Sequence, residues 1–270
     1  MKEGKWAQAE AILSTASGQF VDDQELRVAW AESLLAQRRH DEAYRQYEAA
    51  LAIGPRKPAL EFAAGQTASV AGLLDRAIEH FSMAQTLDPK NPAAPLMLGM
   101  VQRRTGQLDA AKASLLRAAN MDPTNAFAWG TLADIALGEN NLGLALQHVQ
   151  RARELQPDSR EWRLVEARVR ARQGDPEAAL MLLLPLDPSQ RRDAPVVRLM
   201  AQCLGMLNRH EDAAALWLDA ARADPASAEL AYEAAIALQR AGDTSSARDL
   251  ARDAQRLGHP AAAALVERLR

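Results

Sequence analysis

Residues 92–125, with the sequence PAAPLMLGMVQRRTGQLDAAKASLLRAANMDPTN, decide the fold, because the characteristic positions of this stretch return elsewhere in the chain. Gly99 and Pro123 have counterparts 34 residues upstream, in Gly65 and Pro89. A second set of counterparts follows 34 residues downstream. A constant period of about 20 to 50 residues is typical of a repeat array. The chain is therefore predicted to be built from copies of one unit.

Each unit is predicted to hold two antiparallel helices. In residues 108–118 apolar side chains recur at spacings of three and four, which places them on one face of a helix. Glycine stands where the first helix of a unit is expected to end, because such an ending favours a residue that tolerates positive φ. These glycines are Gly72, Gly106, Gly174 and Gly242. Asp-Pro pairs at 88–89, 122–123 and 224–225 are expected to stop the second helix, since proline disfavours helical backbone in the residue before it.

A further set of residues follows the same period and carries a family resemblance. The sequence holds Trp129-x2-Leu132-Ala133, Ala145-x3-Val149 with Pro157, and Gly65 with Ala77-x3-Phe81 and Pro89. This pattern resembles the tetratricopeptide repeat (TPR), whose consensus is W-x2-L-G-x2-Y, then A-x3-F, then P. The resemblance covers nearly the whole chain. It implies an all-α fold, a right-handed superhelical solenoid of antiparallel helix pairs.

In this register residues 1–270 are predicted to form a single TPR solenoid. The repeats are predicted at 24–57, 58–91, 92–125, 126–159, 160–193, 194–227 and 228–261. Residues 262–270 are expected to form a terminal helix or the start of another unit. Residues 1–23 are in register with the second helix of a repeat, with Gly4 aligned to Gly72. This half-repeat suggests a piece of a longer protein or a truncated array.

Small residues recur at two positions of the unit that are expected to face neighbouring helices. In the first helix these are Ala31, Gly65, Gly99, Ala133, Ala167, Ala201 and Ala235, and in the second helix Ala43, Ala77, Ala111, Ala145, Ala179 and Ala213. Their size allows two backbones to approach closely. A larger residue there is expected to cost about 1–3 kcal/mol by overpacking.

The unit 160–193 departs from the pattern. Pro185 lies within its second helix, where proline costs about 3 kcal/mol, so the helix is expected to end near Leu184. A looser connection through residues 189–195 is expected to follow. Two interpretations are open: a local change of superhelical curvature between residues 184 and 195, or a shortened second helix without a hinge.

Composition argues against several classes of function. The formal net charge is −3 and acidic and basic residues are interspersed, so nothing favours nucleic acid or a membrane surface. Arginine pairs at 38–39, 103–104 and 191–192 lack the continuous basic stripe that tracks phosphates, and are expected at solvated helix ends. No segment approaches the roughly 18–20 apolar residues of a membrane span. The single cysteine, Cys203, excludes an internal disulfide framework.

No catalytic or metal site is evident in the sequence. The five histidines lack Cys, Asp or Glu partners at a recognised metal spacing, and are expected on the surface. They are His40, His80, His148, His210 and His259. Carboxylates are expected to be solvated or to cap helices. Cys203 has no base placed to activate it and is expected to be a small buried thiol, and no cofactor is predicted.

The TPR resemblance implies where a partner binds. In TPR proteins the first helices line the concave inner wall of the superhelix, where peptides bind. In this register the inward positions are the second, fifth, sixth, ninth, twelfth and thirteenth of each unit. The predicted partner-binding residues are Phe62, Leu96, Met97, Met100, Arg103, Arg104, Asp134, Arg168, Arg172, Arg198 and Tyr232. An alternative is that Phe62, Leu96 and Met97 only pack between neighbouring first helices.

The character of this groove suggests a class of partner. An apolar patch with flexible methionines suits an amphipathic helix or a hydrophobic peptide, and the arginines could pair with acidic flanks of that peptide. The Lys and Asn of the chaperone-binding carboxylate clamp are absent, so a chaperone C-terminal tail is not the expected ligand.

The sequence therefore predicts a non-enzymatic protein–protein interaction scaffold that binds a peptide or helix in its concave groove. An alternative is the substrate-recognition arm of a larger enzyme, such as a glycosyltransferase or sulfotransferase fused to the repeats. A third hypothesis is self-association through an exposed end helix near Trp6 or Leu265. Neither nucleic acid nor a membrane span is predicted, and the repeats do not distinguish a cytoplasmic from a periplasmic location.

Overall fold

The computed structural model describes Thr15 and residues 23–269, and this part of the chain is helical with no β-strand. The first helices of successive pairs are α1 (Gln24–Ala36), α3 (Pro58–Val70), α5 (Ala93–Arg104), α7 (Ala126–Gly138), α9 (Arg160–Arg172), α12 (Ala194–Met206) and α14 (Ala228–Ala241). The second helices are α2 (His40–Ile53), α4 (Leu74–Leu87), α6 (Leu108–Met121), α8 (Leu142–Leu155), α10 (Pro176–Leu183), α13 (His210–Ala223) and α15 (Thr244–Arg256). Two short helices, α11 (Pro188–Arg191) and α16 (Ala262–Arg268), complete the described part. The predicted all-α architecture of helix pairs is confirmed.

The chain divides into two compact units, Met1–Ile135 and Ala136–Arg270. In the first unit, α1 packs on α2, α3 on α4 and α5 on α6, and each pair packs on the next. In the second unit the same holds for α9 with α10, α12 with α13 and α14 with α15, and α16 packs on α15. Neighbouring pairs therefore bury one another's apolar faces, and each unit has its core between consecutive helices.

The turn between the two helices of a pair has one residue with positive φ. At Gly72, Gly106, Gly174 and Gly242, φ lies between 79° and 89°, as the sequence predicts. In the remaining pairs the same position holds Arg38, Asn140 or Asn208, with φ of 58–61°. Asparagine tolerates this region, whereas arginine at residue 38 is uncommon there and the sequence does not reveal it.

The Asp-Pro pairs end the second helices as predicted. The helices α4, α6 and α13 stop at Leu87, Met121 and Ala223, and the aspartate of each pair is the C-cap. The following proline cannot continue a helix, so the chain turns and enters the next pair.

Small residues hold the helices of each pair at close range. A Cβ atom built on Gly65 would lie 2.9 Å from the ring of Phe81, and one on Gly99 would lie 2.7 Å from Cγ of Leu115. Ala111, the small residue of the second helix in the same pair as Gly99, is fully buried. The predicted close approach is confirmed at these positions, because a single added carbon would already overlap the facing side chain.

The unit 160–193 is irregular where Pro185 predicts it. The helix α10 ends at Leu183 with Leu184 as its C-cap, so the predicted early stop is confirmed. The expectation of a loose connection is wrong, because residues 188–191 form the one-turn helix α11. The backbone N–H of Asp187 donates to the side-chain oxygen of Gln190 at 3.3 Å, which helps to fix this turn. The predicted change of curvature stays a prediction.

The structure describes the C-terminal end of the chain but little of the N-terminal end. Of the predicted half-repeat 1–23, the structure describes only Thr15 and Asp23. The rest of it, with Trp6, lies outside the described residues. Leu265 is buried against the core of the second unit, so it is not the exposed apolar residue that the self-association hypothesis expects. Between residues 23 and 269 no helix has the length and apolar character that a membrane crossing requires.

Glycine at two helical positions provides a test of the close approach. We expect Gly99→Ala to lower the free energy of unfolding by about 1–3 kcal/mol, because the new methyl overlaps Leu115 and the carbonyl oxygen of Ala111. The matched control is Gly143→Ala in α8, where a Cβ meets open space and alanine should stabilise the helix by about 0.5 kcal/mol. Urea denaturation of both variants measures the difference. Equal effects of the two changes would refute the packing account.

Candidate functional site

Two cavities of the same construction lie between successive first helices, one in each unit. In the first unit a cavity of about 360 Å³ opens between α1 and α3, with Tyr47 of α2 at its base. It is lined by Gln24, Glu25, Val28, Ala29, Glu32, Tyr47, Lys57, Ala59, Leu60 and Ala63. Apolar side chains form its floor and charged groups its rim.

In the second unit a cavity of about 470 Å³ opens between α12 and α14. Trp217 of α13 lies at its base and is only 4% exposed. The lining residues are Arg198, Ala201, Gln202, Gly205, Met206, His210, Ala213, Trp217, Glu233, Ala237 and Arg240. Trp217 occupies the same repeat position as Tyr47, so both cavities have an aromatic ring from the intervening second helix as their base.

Small residues of the first helices keep these cavities open. Ala29, Ala59 and Ala63 line the first cavity, and Ala201, Gly205 and Ala237 line the second. At the repeat position of Ala237 the helices α5 and α7 carry Val101 and Ile135, both buried in hydrophobic clusters. The size of a few side chains therefore decides whether the space between two first helices is core or cavity.

The predicted apolar contact residues lie in the first unit and are half-buried. Phe62 packs edge-on against Phe81 with ring centroids 5.4 Å apart, and Met97 joins the same cluster. Leu96 and Met100 pack against the next cluster along the chain. These contacts agree with the alternative interpretation, in which the residues pack between helices. A role of their exposed edges in binding stays a prediction.

The predicted polar contact residues of the first unit already have intramolecular partners. Nη1 of Arg103 lies 2.6 Å from Oδ2 of Asp134. The guanidinium of Arg104 donates to the hydroxyl of Ser69 at 3.2 Å and to its carbonyl oxygen at 3.5 Å. Because Ser69 lies in the last turn of α3, Arg104 satisfies a carbonyl that the helix leaves without an intrahelical donor.

In the second unit the predicted residues are distributed along several helices. Arg172 donates to the carbonyl oxygen of Leu137 at 2.8 Å, which repeats the geometry of Arg104. Arg198 lies 3.0 Å from Glu229 and is the predicted residue that lines the cavity of this unit. Tyr232 stacks on His259 with ring centroids 3.9 Å apart, and Arg168 is exposed on α9.

Sequence reasoning missed the residues that shape the cavity of the second unit. The floor residue Trp217 stands at the apolar position of the second helix, where the repeat pattern predicts core. Met206 and Arg240 stand at inward positions of the repeat. They line a cavity because the residues beside them are small. The available signal was the run of Ala201, Gly205 and Ala237 at positions that face one another.

A buried polar network joins α2, α3 and α4. Glu61 is fully buried, and its Oε2 lies 2.8 Å from Nδ1 of His80, which is 7% exposed. Nε2 of His80 lies 3.2 Å from both the hydroxyl of Tyr44 and Oε1 of Glu48. Arg56 donates to the other oxygen of Glu61 at 3.1 Å. Burial, with a smaller contribution from the charge of Glu48, raises the pKa of Tyr44 to about 12, so its hydroxyl stays protonated.

This network corrects two expectations. His80 is not a surface histidine, and Glu61 is not a solvated carboxylate. Glu166 is a second buried carboxylate, 3.6 Å from Arg170 one turn later in α9. These groups tolerate burial because each has partners of opposite charge or hydrogen-bonding donors, and they lie too deep to meet a substrate.

The thiol and the candidate metal ligands can be compared with the sequence-based expectations. Cys203 is buried, as predicted, and burial raises the pKa of its thiol to about 11. Among residues 15 and 23–269 no group of three or more His, Cys, Asp or Glu side chains is arranged to hold a metal ion.

The second-helix side of the second unit has an apolar cavity of its own, of about 480 Å³ between α10 and α13. Met181 is 68% exposed at its edge, and Leu184 is exposed beside it. At the repeat position of Met181 the other second helices carry Arg45, Glu79, Ala113, Gln147, Ala215 and Asp249. The apolar edge therefore belongs to the irregular pair α9–α10.

The buried network gives a prediction about stability. We expect His80→Leu to lower the free energy of unfolding by about 3 kcal/mol, because Glu61 then stays buried without its imidazole partner. The double variant Glu61→Met with His80→Leu should recover most of that loss, since it removes both polar partners. The control Glu42→Gln breaks the exposed pair with Arg39 and should leave the free energy of unfolding almost unchanged, because solvent screens that pair. Chemical denaturation measures all three, and a double variant no more stable than His80→Leu would contradict the account.

The thiol gives a prediction about reactivity. With a pKa of about 11, about one Cys203 thiol in a thousand is ionised at pH 8, so alkylation by iodoacetamide should be very slow. The control is Gln202→Cys in a Cys203→Ser background, where the new thiol is exposed next to the native position. Mass spectrometry against time compares the two rates. Similar rates in the folded protein would show that Cys203 is accessible.

Comparison with known proteins places the chain in a fold family. Models of the tetratricopeptide repeat match residues 28–92, 62–135 and 136–203. No curated protein sequence matches the chain. A tetratricopeptide repeat protein from Parabacteroides merdae ATCC 43184 has a structure with a TM-score of 0.60 and 19% identity, covering 97% of this chain and 99% of its own.

Two further solved structures are similar to the chain. Yeast Tom70 has a TM-score of 0.58 and 19% identity, covering 98% of this chain and 58% of its own. YrrB, described as a TPR protein with an unusual peptide-binding site, has a TM-score of 0.56 and 15% identity, covering 71% of this chain and 100% of its own. At these identities the likeness shows the fold alone. The family models, in contrast, match well over half of the chain, so the chain belongs to the tetratricopeptide repeat family.

Proposed function

We propose that this protein is a non-enzymatic scaffold that binds a peptide or helical segment of another protein on the faces of its first helices. The observation that carries the proposal is the pair of cavities with apolar floors and charged rims, each built from inward positions of two first helices. Proteins of this fold are typically interaction scaffolds, which supports the same class of function.

The cavities have the character of side-chain binding sites. A large apolar side chain gains about 1.5–3 kcal/mol when it moves from water into an apolar environment. The open floors around Val28 and Leu60 in the first unit, and around Trp217 and Ala237 in the second, would supply that environment. A handful of such anchors contributes most of the affinity in typical protein interfaces.

The residues predicted from sequence would contact the same segment at the margins of these cavities. We propose that the exposed edges of Phe62, Leu96, Met97 and Met100 extend the apolar surface of the first unit. The arginines and Asp134 would contribute polar contacts. Most of these side chains already bind an intramolecular partner, which would compete with the ligand. Their contribution to affinity should therefore be smaller than that of the cavities.

Photocrosslinking tests which face meets a partner. The photoreactive residue p-benzoylphenylalanine replaces Gln66 or Gln202, both exposed at the ninth position of a first helix, and Gln147 on the outer side of α8 serves as the matched control. After irradiation in native cells, mass spectrometry identifies the joined peptides. We expect one partner segment to be enriched at Gln66 or Gln202 over Gln147, because the cavities lie beside the first-helix positions.

Enrichment at Gln147 instead, or equal yields at all three positions, would overturn the proposal. Thermal melting of each variant accompanies the experiment, since all three replaced side chains are exposed and should leave the fold intact.

A further inference from the structure

We propose that the cavity of the second unit recognises a large apolar side chain together with the side-chain carboxylate of an acidic residue next to it in the partner segment. The proposal rests on the proposed function and names the chemistry that one of its two cavities selects. It assigns two roles: the floor around Trp217 takes the apolar side chain, and Arg240 binds the carboxylate.

Arg240 differs from two arginines at the same position of the repeat. Arg104 donates to the carbonyl oxygen and hydroxyl of Ser69, and Arg172 donates to the carbonyl oxygen of Leu137, in each case 35 residues earlier. The equivalent carbonyl for Arg240 would be that of Gly205. No hydrogen bond or ion pair joins Arg240 to any residue between 23 and 269, and its side chain lines the cavity. Its guanidinium therefore keeps all its donors for a ligand.

The other charged groups of the cavity are less available. Arg198 lies 3.0 Å from Glu229 and 3.8 Å from Glu233, so its guanidinium already has two carboxylate partners. Glu233 is in turn held near Arg198, and His210 is half-buried at the other side of the cavity. Among the residues that line the cavity, Arg198 and Glu233 are opposite in charge and 3.8 Å apart, so Arg240 gives the lining its excess positive charge, which favours an anion.

The floor of the cavity fits a large apolar group. Ala201, Ala213 and Ala237 present only methyl groups, and a Cβ placed on Gly205 would meet open space. Trp217 closes the base, and the side chain of Met206, 45% exposed, borders the opening. Methionine adapts its shape to a ligand, and an aromatic or large aliphatic side chain would displace water from these apolar surfaces.

Synthetic peptides provide the ligand for the test. Four octapeptides share a Ser-Gly background and carry Phe-Asp, Phe-Asn or Ala-Asp in the middle with capped ends, or Phe at a free C-terminus. The first three separate the apolar side chain from the carboxylate, and the fourth distinguishes a main-chain carboxylate from an acidic side chain. Binding is followed on the full chain by NMR of methionine methyl groups, with Met206 as the reporter and Met181, outside the cavity, as the internal control.

We expect the Phe-Asp peptide to bind about fivefold more tightly than the Phe-Asn peptide, because an exposed ion pair contributes up to a factor of this order. The Ala-Asp peptide should bind more weakly than both. Arg240→Gln should abolish the preference for Asp over Asn, whereas the control Arg252→Gln on α15 should keep it. Gly205→Leu should weaken the Phe peptides by filling the floor, and its melting temperature verifies the fold.

Several outcomes overturn the proposal. The proposal fails if no peptide shifts the Met206 signal, if Phe-Asp and Phe-Asn bind equally well, or if the preference for Asp survives Arg240→Gln. It also fails if the peptide with Phe at a free C-terminus binds more tightly than the Phe-Asp peptide. If crosslinks at Gln202 still identify a partner in any of these cases, the scaffold function stands and the assigned chemistry alone fails. If crosslinks are also lacking on the first-helix faces, the scaffold function fails as well.

Discussion

The close approach of the two helices in a pair is the constraint on which the rest of the structure depends. Gly65 meets the ring of Phe81, and Gly99 meets Leu115, at distances that leave no room for one more carbon atom. This contact fixes the separation of the first and second helices in these two pairs, and the other pairs carry alanine, also a small residue, at the same position of the 34-residue period. The inward side chains of two first helices are then presented to each other at a set distance, so their sizes determine the surface that a partner meets.

Core and cavity are two outcomes of the same geometry. Between α3, α5 and α7, large residues such as Phe62, Leu96 and Met97 occupy the inward positions and bury much of their own surface. Between α12 and α14, Ala201, Gly205 and Ala237 leave the space open above Trp217. An open apolar floor forgoes packing energy within the protein, and a ligand side chain can supply the missing contacts. Variation at a few inward positions can therefore change binding without changing the fold.

The sequence predicts what depends on one residue or on the period. The helix ends at Asp88 and Gly106, the early stop of α10 before Pro185 and the small contact positions all follow from local backbone chemistry or from repetition. The cavities and the ion pairs depend on combinations of side chains from different helices. A repeat pattern along the sequence does not show which of these combinations come into contact. Arg104 and Arg240 share a register position, yet one is engaged by Ser69 and the other lines a cavity.

The network around Glu61 shows how close packing and buried polarity support each other. His80, its partner, also lies beside Gly65, since a Cβ on that glycine would be 3.2 Å from Cβ of His80. The same tight contact that excludes water from α3 and α4 thus makes an unpaired carboxylate costly at this place. A shift of α4 along α3 by one turn would keep apolar surface buried but separate Glu61 from the imidazole. The polar pair and the contact of Gly65 with Phe81 both oppose that shift, so together they fix the register of the two helices.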